Sequence, residues 1–259
     1  MTAFEPFNLL LLVSAGIAAG MVNAVAGGGT FFSFAALLAV GLPPVMANAS
    51  SSVAAVPGYI ASAFAYRKEI AGLGRRVILP GLASALGGMI GALLLVRIGN
   101  ASFAALVPWL LLVATLLFAV GPRVSAWLRP GAAAEPVTTP RWLLLAALVQ
   151  LVASIYGGFF GAGMGIVLLA ILTLTEGSDF HRANAAKHLH SILIQLTALV
   201  LFISNGLISW PEALIMTVAA MIGGWLGVVL SRKVPVALVR NAVLMLAIGM
   251  TIWFFWRTL

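Results

Sequence analysis

Lys187 lies in the run Asn184-Ala-Ala-Lys187-His188-Leu-His190-Ser191-Ile-Leu-Ile-Gln195, inside a long apolar stretch. Asn184, His188, Ser191 and Gln195 are spaced four, three and four apart, which on a helix makes one polar stripe. A cation in such a place needs a partner. The six acids, Glu5, Glu69, Glu135, Glu176, Asp179 and Glu212, all fall near the ends of apolar runs. A bound anion is then the natural counter-charge for Lys187. The competing reading is a side chain that snorkels to the surface or pairs with Asp179.

Glycines supply a second feature suited to an anion. Gly27-Gly28-Gly29-Thr30 interrupts the first apolar stretch, and Gly161, Gly163 and Gly165 interrupt a later one. Glycine permits a tight backbone turn, and the first amides of a helix that follows have no intrahelical partners. Those amides and the helix dipole favour negative charge. The alternative is close helix packing, the role expected of Gly87 and Gly91. Asn48, Ser50, Ser51 and Ser52 add amide and hydroxyl groups at the start of another helix, where interhelical hydrogen bonding is the competing role.

Other chemistries find less material. With no cysteine, thiolate catalysis and thiolate metal sites are excluded. His181, His188 and His190 lack a carboxylate at ligand spacing, so neither metal nor cofactor is expected. His188 or His190 could relay protons, which makes protons the coupling ion to consider. Ser191 follows His190 directly, but adjacent helical residues point apart and no acid orients the imidazole, so an enzyme is not expected.

The elements that position these residues are membrane helices. The chain of 259 residues is 63% hydrophobic and 8% charged, with mean hydropathy +1.15. Such a surface requires lipid as solvent. The formal charge of +8 resides mostly in short loops, as membrane orientation demands, and no basic face with interleaved aromatics suggests nucleic acid. The N-terminal segment carries Glu5 and no early Lys or Arg, so it reads as a retained helix rather than a cleaved signal.

At an offset of 136 residues the chain matches itself. Gly27 and Gly29 fall on Gly163 and Gly165, Asn48 on Asn184, and Gly87, Gly88 and Gly91 on Gly223, Gly224 and Gly227. A duplication follows. Each copy contains five helical pieces, near 8–26, 30–41, 45–66, 77–96 and 102–121, then 141–160, 166–176, 182–203, 212–231 and 236–256. The expected fold is all-α and polytopic, with a first repeat over 1–121, a linker over 122–140 and a second repeat over 141–259. That gives 8–10 transmembrane segments, two of them short half-helices. Arg67, Lys68, Arg75, Arg76, Arg123, Arg129, Arg141, Arg182, Arg232, Lys233 and Arg240 lie on one side; Arg97 and Arg257 lie on the other. The rich side is cytoplasmic. The basic loop 67–76 has an uncharged counterpart at 203–211, as an inverted repeat requires, and both termini are placed outside.

The run Asn23 to Thr30, then Gly41-Leu-Pro-Pro44 and Ala47-Asn-Ala-Ser50, resembles the first signature of the sulfite exporter TauE/SafE family. Tyr156 to Gly165, followed by Arg182-Ala-Asn-Ala-Ala-Lys187, is similar to its second. The resemblance covers essentially the whole chain. It implies a multi-pass permease of the bacterial inner membrane that exports small anions, most plausibly sulfite or organosulfonates, and it brings Asn23 into the candidate site. Alternating access between the two repeats is the expected mechanism. A passive anion channel and an uptake permease are the alternatives, an intramembrane enzyme a more distant one. Partners are the small anion and the bilayer, with homo-oligomerisation left open.

Overall fold

The computed structural model describes residues 4–25, 28–127, 140–175, 180–230 and 236–258. Among them all regular structure is helical, in eleven α-helices and one 3-10 turn. The first half comprises α1 (Pro6–Val25), α2 (Thr30–Ala39), α3 (Pro44–Ala65), the short α4 (Arg67–Ala71), a 3-10 turn (Gly74–Val77), α5 (Ile78–Ile98) and α6 (Asn100–Trp127). The second comprises α7 (Pro140–Phe159), α8 (Met164–Thr175), α9 (Phe180–Ser204), α10 (Trp210–Leu230) and α11 (Val236–Thr258). Helix is the solution lipid imposes, because it pairs backbone groups within the segment. The stretches Pro6–Ala24, Gly74–Ile98, Asn100–Leu117 and Arg182–Ser204 are long and apolar enough to cross a bilayer. The 10 residues of α2 and 12 of α8 reach only ~15–18 Å, short of the ~30 Å hydrocarbon core.

Two boundaries differ from expectation. The basic loop after α3 is itself helical, as α4 and the 3-10 turn. The helix α6 continues through Pro122 to Trp127, beyond the expected start of the linker. A proline removes one intrahelical bond but does not stop a helix whose neighbours supply the lost contacts. Residues 128–139 of the expected linker lie outside the described residues.

The chain is apolar on its outside. Leu82, Leu86 and Leu94 on α5, Trp109 on α6 and Trp225 on α10 are exposed, whereas Asn48, Ser84, Gln150, Lys187, His190 and Gln195 are buried. That inversion fits lipid as solvent.

Partner choice among the helices crosses the halves. Helix α1 packs most extensively on α10, and α5 on α7. Both contacts rest on small residues that let backbones approach. A Cβ at Gly91 would strike the Ile155 carbonyl, and one at Gly223 would strike the Ile17 carbonyl. These two glycines belong to the set that the sequence offset aligned, and Gly91 has the packing role expected of it. The α3 and α9 helices also pack together, as do α6 and α11. In the latter pair Thr115 and Thr251 meet hydroxyl to hydroxyl at 3.3 Å.

Candidate substrate site

The site begins at two breaks in the helical chain. Gly28 has φ +88°, and Gly161 and Gly163 have φ +72° and +74°, a region that only glycine enters cheaply. At the first break Asn23 reaches back, its Oδ1 accepting from Gly29 N–H at 2.8 Å. At the second, Tyr156 donates to the Ala162 carbonyl at 2.7 Å and Thr30 to the Gly161 carbonyl at 3.4 Å. Several of the amides expected to await an anion there are engaged. Phe31 and Phe32 N–H bond the Gly28 and Gly29 carbonyls, and Met164 N–H bonds Gly161. The turns close on themselves, so the helix N-termini near Gly29 and Gly165 are less available than expected. Gly27 lies outside the described residues.

The α3 and α9 helices carry the polar side chains between these breaks. Asn48, Ser51, Ser52, Asn184, Lys187, His188, Ser191 and Gln195 are all buried. Several of their atoms lack partners among the described residues: Asn48 Oδ1, Asn184 Oδ1, His188 Nδ1, Ser191 Oγ, and both Gln195 amide atoms. Unpaired buried polar atoms cost ~1–3 kcal/mol each, so a cluster of them marks a place built for something polar. Among the described residues Lys187 makes no ion pair; Glu176 and Asp179 lie outside them.

The expected site separates into two constellations. Asn184 and Gln195 are eleven positions apart on α9, ~16 Å along its axis. At the Asn184 end, its Nδ2 donates to the Tyr66 hydroxyl at 3.4 Å, and the Tyr66 ring stacks on His188 at 5.8 Å. Tyr59 closes on the same imidazole at 6.2 Å. At the Gln195 end, Asn48 Nδ2 donates to the Phe159 carbonyl at 3.0 Å. A Cβ built on Gly161 would lie 3.5 Å from Ser52 Oγ and 3.7 Å from Gln195 Nε2. Lys187 and Ser191 bridge the two ends along α9.

A cleft of about 280 Å³ runs to His188 between α1, α3 and α10. Asn23, Tyr59, Ser62, Gly58 and Gly224 line it, and Ala61, Ala65 and Trp225 stand exposed at its mouth.

The model of the family described as sulfite exporter TauE/SafE matches residues 12–254, nearly the full chain. The chain belongs to that family. A "Probable membrane transporter protein" of Haemophilus influenzae is 30% identical over 245 residues, covering 94% of this chain and 92% of that one. "Probable membrane transporter protein YfcA" of Escherichia coli K12 is 27% identical over 234 residues, covering 86% and 84%. "Probable membrane transporter protein ORF9" of a Sinorhizobium species is 25% identical over 223 residues, covering 85% and 82%. These relatives are named for transport. This TauE/SafE chain is accordingly a membrane protein of a transporter family.

Two expected site residues, Ser50 and Ser51, and the proton-relay candidate His190 have hydrogen-bond partners within the protein. Ser50 Oγ accepts from Ser209 N–H at 2.9 Å, tying α3 to the turn before α10. Ser51 bonds the Asn48 carbonyl of its own helix. His190 points away from the stripe. Its Nδ1 lies 3.0 Å from Ser84 Oγ, which also accepts from Gln150 Nε2 at 2.9 Å and donates to the Pro80 carbonyl. Ser84 has one proton, given to Pro80, so in this arrangement His190 Nδ1 is the donor. His190 is thereby not paired with Ser191, and His181's side chain lies outside the described residues. Tyr59, Tyr66 and Tyr156 also lie against the candidate residues, the first two on the His188 ring and the third on the Ala162 carbonyl. Tyr59 is seven positions from Ser52 and eleven from Asn48 on one helical face, the signal that marks it; Tyr66 is at a helix end beside basic residues, where nothing in the sequence singles it out.

Proposed function

We propose that this protein is a secondary transporter that exports small anions, most plausibly sulfite or an organosulfonate, across the bacterial inner membrane. One observation carries the reading. A lysine buried among unpartnered polar atoms sits next to His188, the residue at which the cleft ends. Lys187 supplies the counter-charge; His188 and Asn184 supply hydrogen bonds to oxyanion oxygens. The helix termini contribute less than the sequence suggested, because several of their amides are already bonded.

Several features support two inverted repeats, over 1–121 and 141–259, as the moving parts. Positions 136 apart meet at Thr115 and Thr251, as residues do on a two-fold axis. The exchanged pairs α1 with α10 and α5 with α7 are the same pair under that offset. With Arg67, Lys68, Arg75 and Arg76 cytoplasmic, the cleft mouth at Ala61 and Ala65 faces the cytoplasm, the loading side for an exporter. Close packing of Gly88 against α9 at the opposite end favours a carrier over an open channel. Proton participation falls to His188, since His190 is engaged elsewhere.

The test is flux in proteoliposomes with labelled sulfite, sulfoacetate and taurine, with and without a pH gradient. Wild type should show saturable anion uptake, and Lys187→Ala should lose at least tenfold. Unchanged flux in Lys187→Ala would remove the assigned counter-charge. Failure of every anion with correctly inserted protein would reject the substrate class.

A further inference from the structure

The two constellations occupy equivalent positions in the two halves, yet their chemistry has diverged. Under the 136-residue offset Asn48 matches Asn184, Ser52 matches His188, Ala55 matches Ser191 and Tyr59 matches Gln195. The end with Asn184, His188 and nearby Lys187 is cationic and rich in nitrogen. The end with Asn48, Ser52, Ser191 and Gln195 is neutral and rich in oxygen. Within that second group Asn48 Oδ1, Gln195 Oε1 and Ser191 Oγ are buried and without partners among the described residues.

We infer that Asn48, Ser52, Ser191 and Gln195, with the turn at Gly161, form a binding site for a monovalent cation, sodium, that accompanies the anion. The geometry converges on one place. Asn48 and Ser52 are one turn apart on α3, and Ser191 and Gln195 one turn apart on α9. The Gly161 position touches both Ser52 and Gln195. Helix α7 ends at Phe159 against this point, and the carbonyl end of a helix carries partial negative charge. Unwound backbone and helix C-termini are where membrane carriers hold alkali ions.

The donor set selects the ion. Amide and hydroxyl oxygens are hard ligands, and this group holds no carboxylate. Calcium and magnesium sites rely on carboxylates, and softer metals want imidazole or thiolate. Among the described residues no three His, Asp or Glu side chains come together. A single charge on neutral oxygens is the match. Gln195 Nε2 is the amide atom nearest the Gly161 turn, and neither of its amide atoms has a partner among the described residues, so a half-turn of the amide would present Oε1 to the ion and leave the nitrogen for a hydrating water. Lys187 is eight positions from Gln195, ~12 Å along α9, which moderates repulsion while keeping anion and cation within one cavity system.

The role as coupling ion rests on the carrier reading; the binding site does not, and the experiment separates them. Purified protein in detergent would be tested for saturable binding of labelled sodium, and for thermal stability in sodium, potassium and choline chloride. Sodium should bind saturably and raise the melting temperature by several degrees over choline, with a smaller response to potassium. Gln195→Leu should abolish that shift, and the milder Ser52→Ala should weaken binding about tenfold should Gln195→Leu fail to fold. Lys187→Ala should keep it. Absence of sodium-specific binding, or an equal response in Gln195→Leu or Ser52→Ala, overturns the site, even where anion flux is intact. Sodium binding in a protein that moves no anion would retain the site and reject the transport reading.

Discussion

Two junctions occupy equivalent places in this molecule, and one is filled where the other is open. At the junction of α5, α7 and α9, Ser84, Gln150, Ser154 and His190 form a buried network, with Gln150 Nε2 also reaching Ser154 at 3.3 Å. A Cβ at Gly88 would lie 2.5 Å from the Ile194 carbonyl and 2.7 Å from Thr197 Oγ1. At the junction of α10, α1 and α3 the matching positions are Ala220, Ser14, Ala18 and Ala54, and Gly224, Gly58 and Ala61. There Gly224 and Gly58 have nothing within 4 Å of a built Cβ, and both line the cleft. Under the proposed exchange of roles between the halves, the packed junction is the form the open one would take on closing. The side chains account for the difference: small residues leave the cleft between α1, α3 and α10, whereas the network fixes its own helices together.

The largest effect comes from placing one side chain in both junctions. Gly88→Leu forces a branched side chain into the α9 backbone and should cost at least ~3 kcal/mol, enough to remove the protein from the membrane fraction. Gly224→Leu enters open space, so the protein should accumulate normally, with anion flux reduced at least tenfold by a filled cleft. Equal accumulation of both variants, measured by fluorescence size-exclusion chromatography, would erase the contrast.

A cross-link asks whether the open junction closes during turnover. The chain has no native cysteine, so Gly58→Cys with Gly224→Cys gives a clean pair. If the halves exchange roles, oxidation under turnover should join the two thiols and abolish most of the flux, with reduction restoring it. A pair that joins without loss of flux, or never joins, would break the exchange. A smaller effect is expected at the network. His190→Ala removes a donor to Ser84 Oγ and leaves a cavity beside it, and should destabilise by ~1–3 kcal/mol, read as a lower melting temperature. Ala54→Ser, at the equivalent position of the open junction, should change stability by less than ~1 kcal/mol.

Much of this arrangement was legible in the sequence. Helices and short half-helices follow from apolar run length, and α2, α3, α8 and α9 begin within about two residues of where the runs place them. The stripe on α9 follows from spacing, and its burial from the cost of polar groups in lipid. What spacing could not reveal was which helix faces which. Nothing in α1 names α10 as its partner, since Leu, Ala and Gly pack with any similar face; the close approaches of Gly16, Gly20, Gly223 and Gly227 across the two helices disclose it. For the same reason one stripe resolved into two constellations. Periodicity assigns residues to a face, but the level at which Tyr66 or Gly161 meets that face depends on tertiary crossing. Near Gly29 and Gly161 the tight turns that glycine permits also supply carbonyl partners to the Phe31, Phe32 and Met164 amides, which spacing alone does not reveal.

The smallest effect tests the axis on which the comparison depends. Thr115 and Thr251 each sit within a buried helix pair; Thr251 also donates to the Ala247 carbonyl at 2.7 Å, so Thr115 is the donor of the contact between them. Thr115→Val keeps the shape and removes that donor, at a cost of ~1 kcal/mol. Thr251→Val removes the acceptor and leaves the Thr115 hydroxyl without its partner, a cost of similar size. The double substitution replaces both hydroxyls by methyl groups of the same shape and should therefore cost less than the sum of the two single changes, read as melting temperatures in one double-mutant cycle. Strict additivity would mean that the two threonines do not interact, and positions 136 apart would then lose their meeting point between α6 and α11.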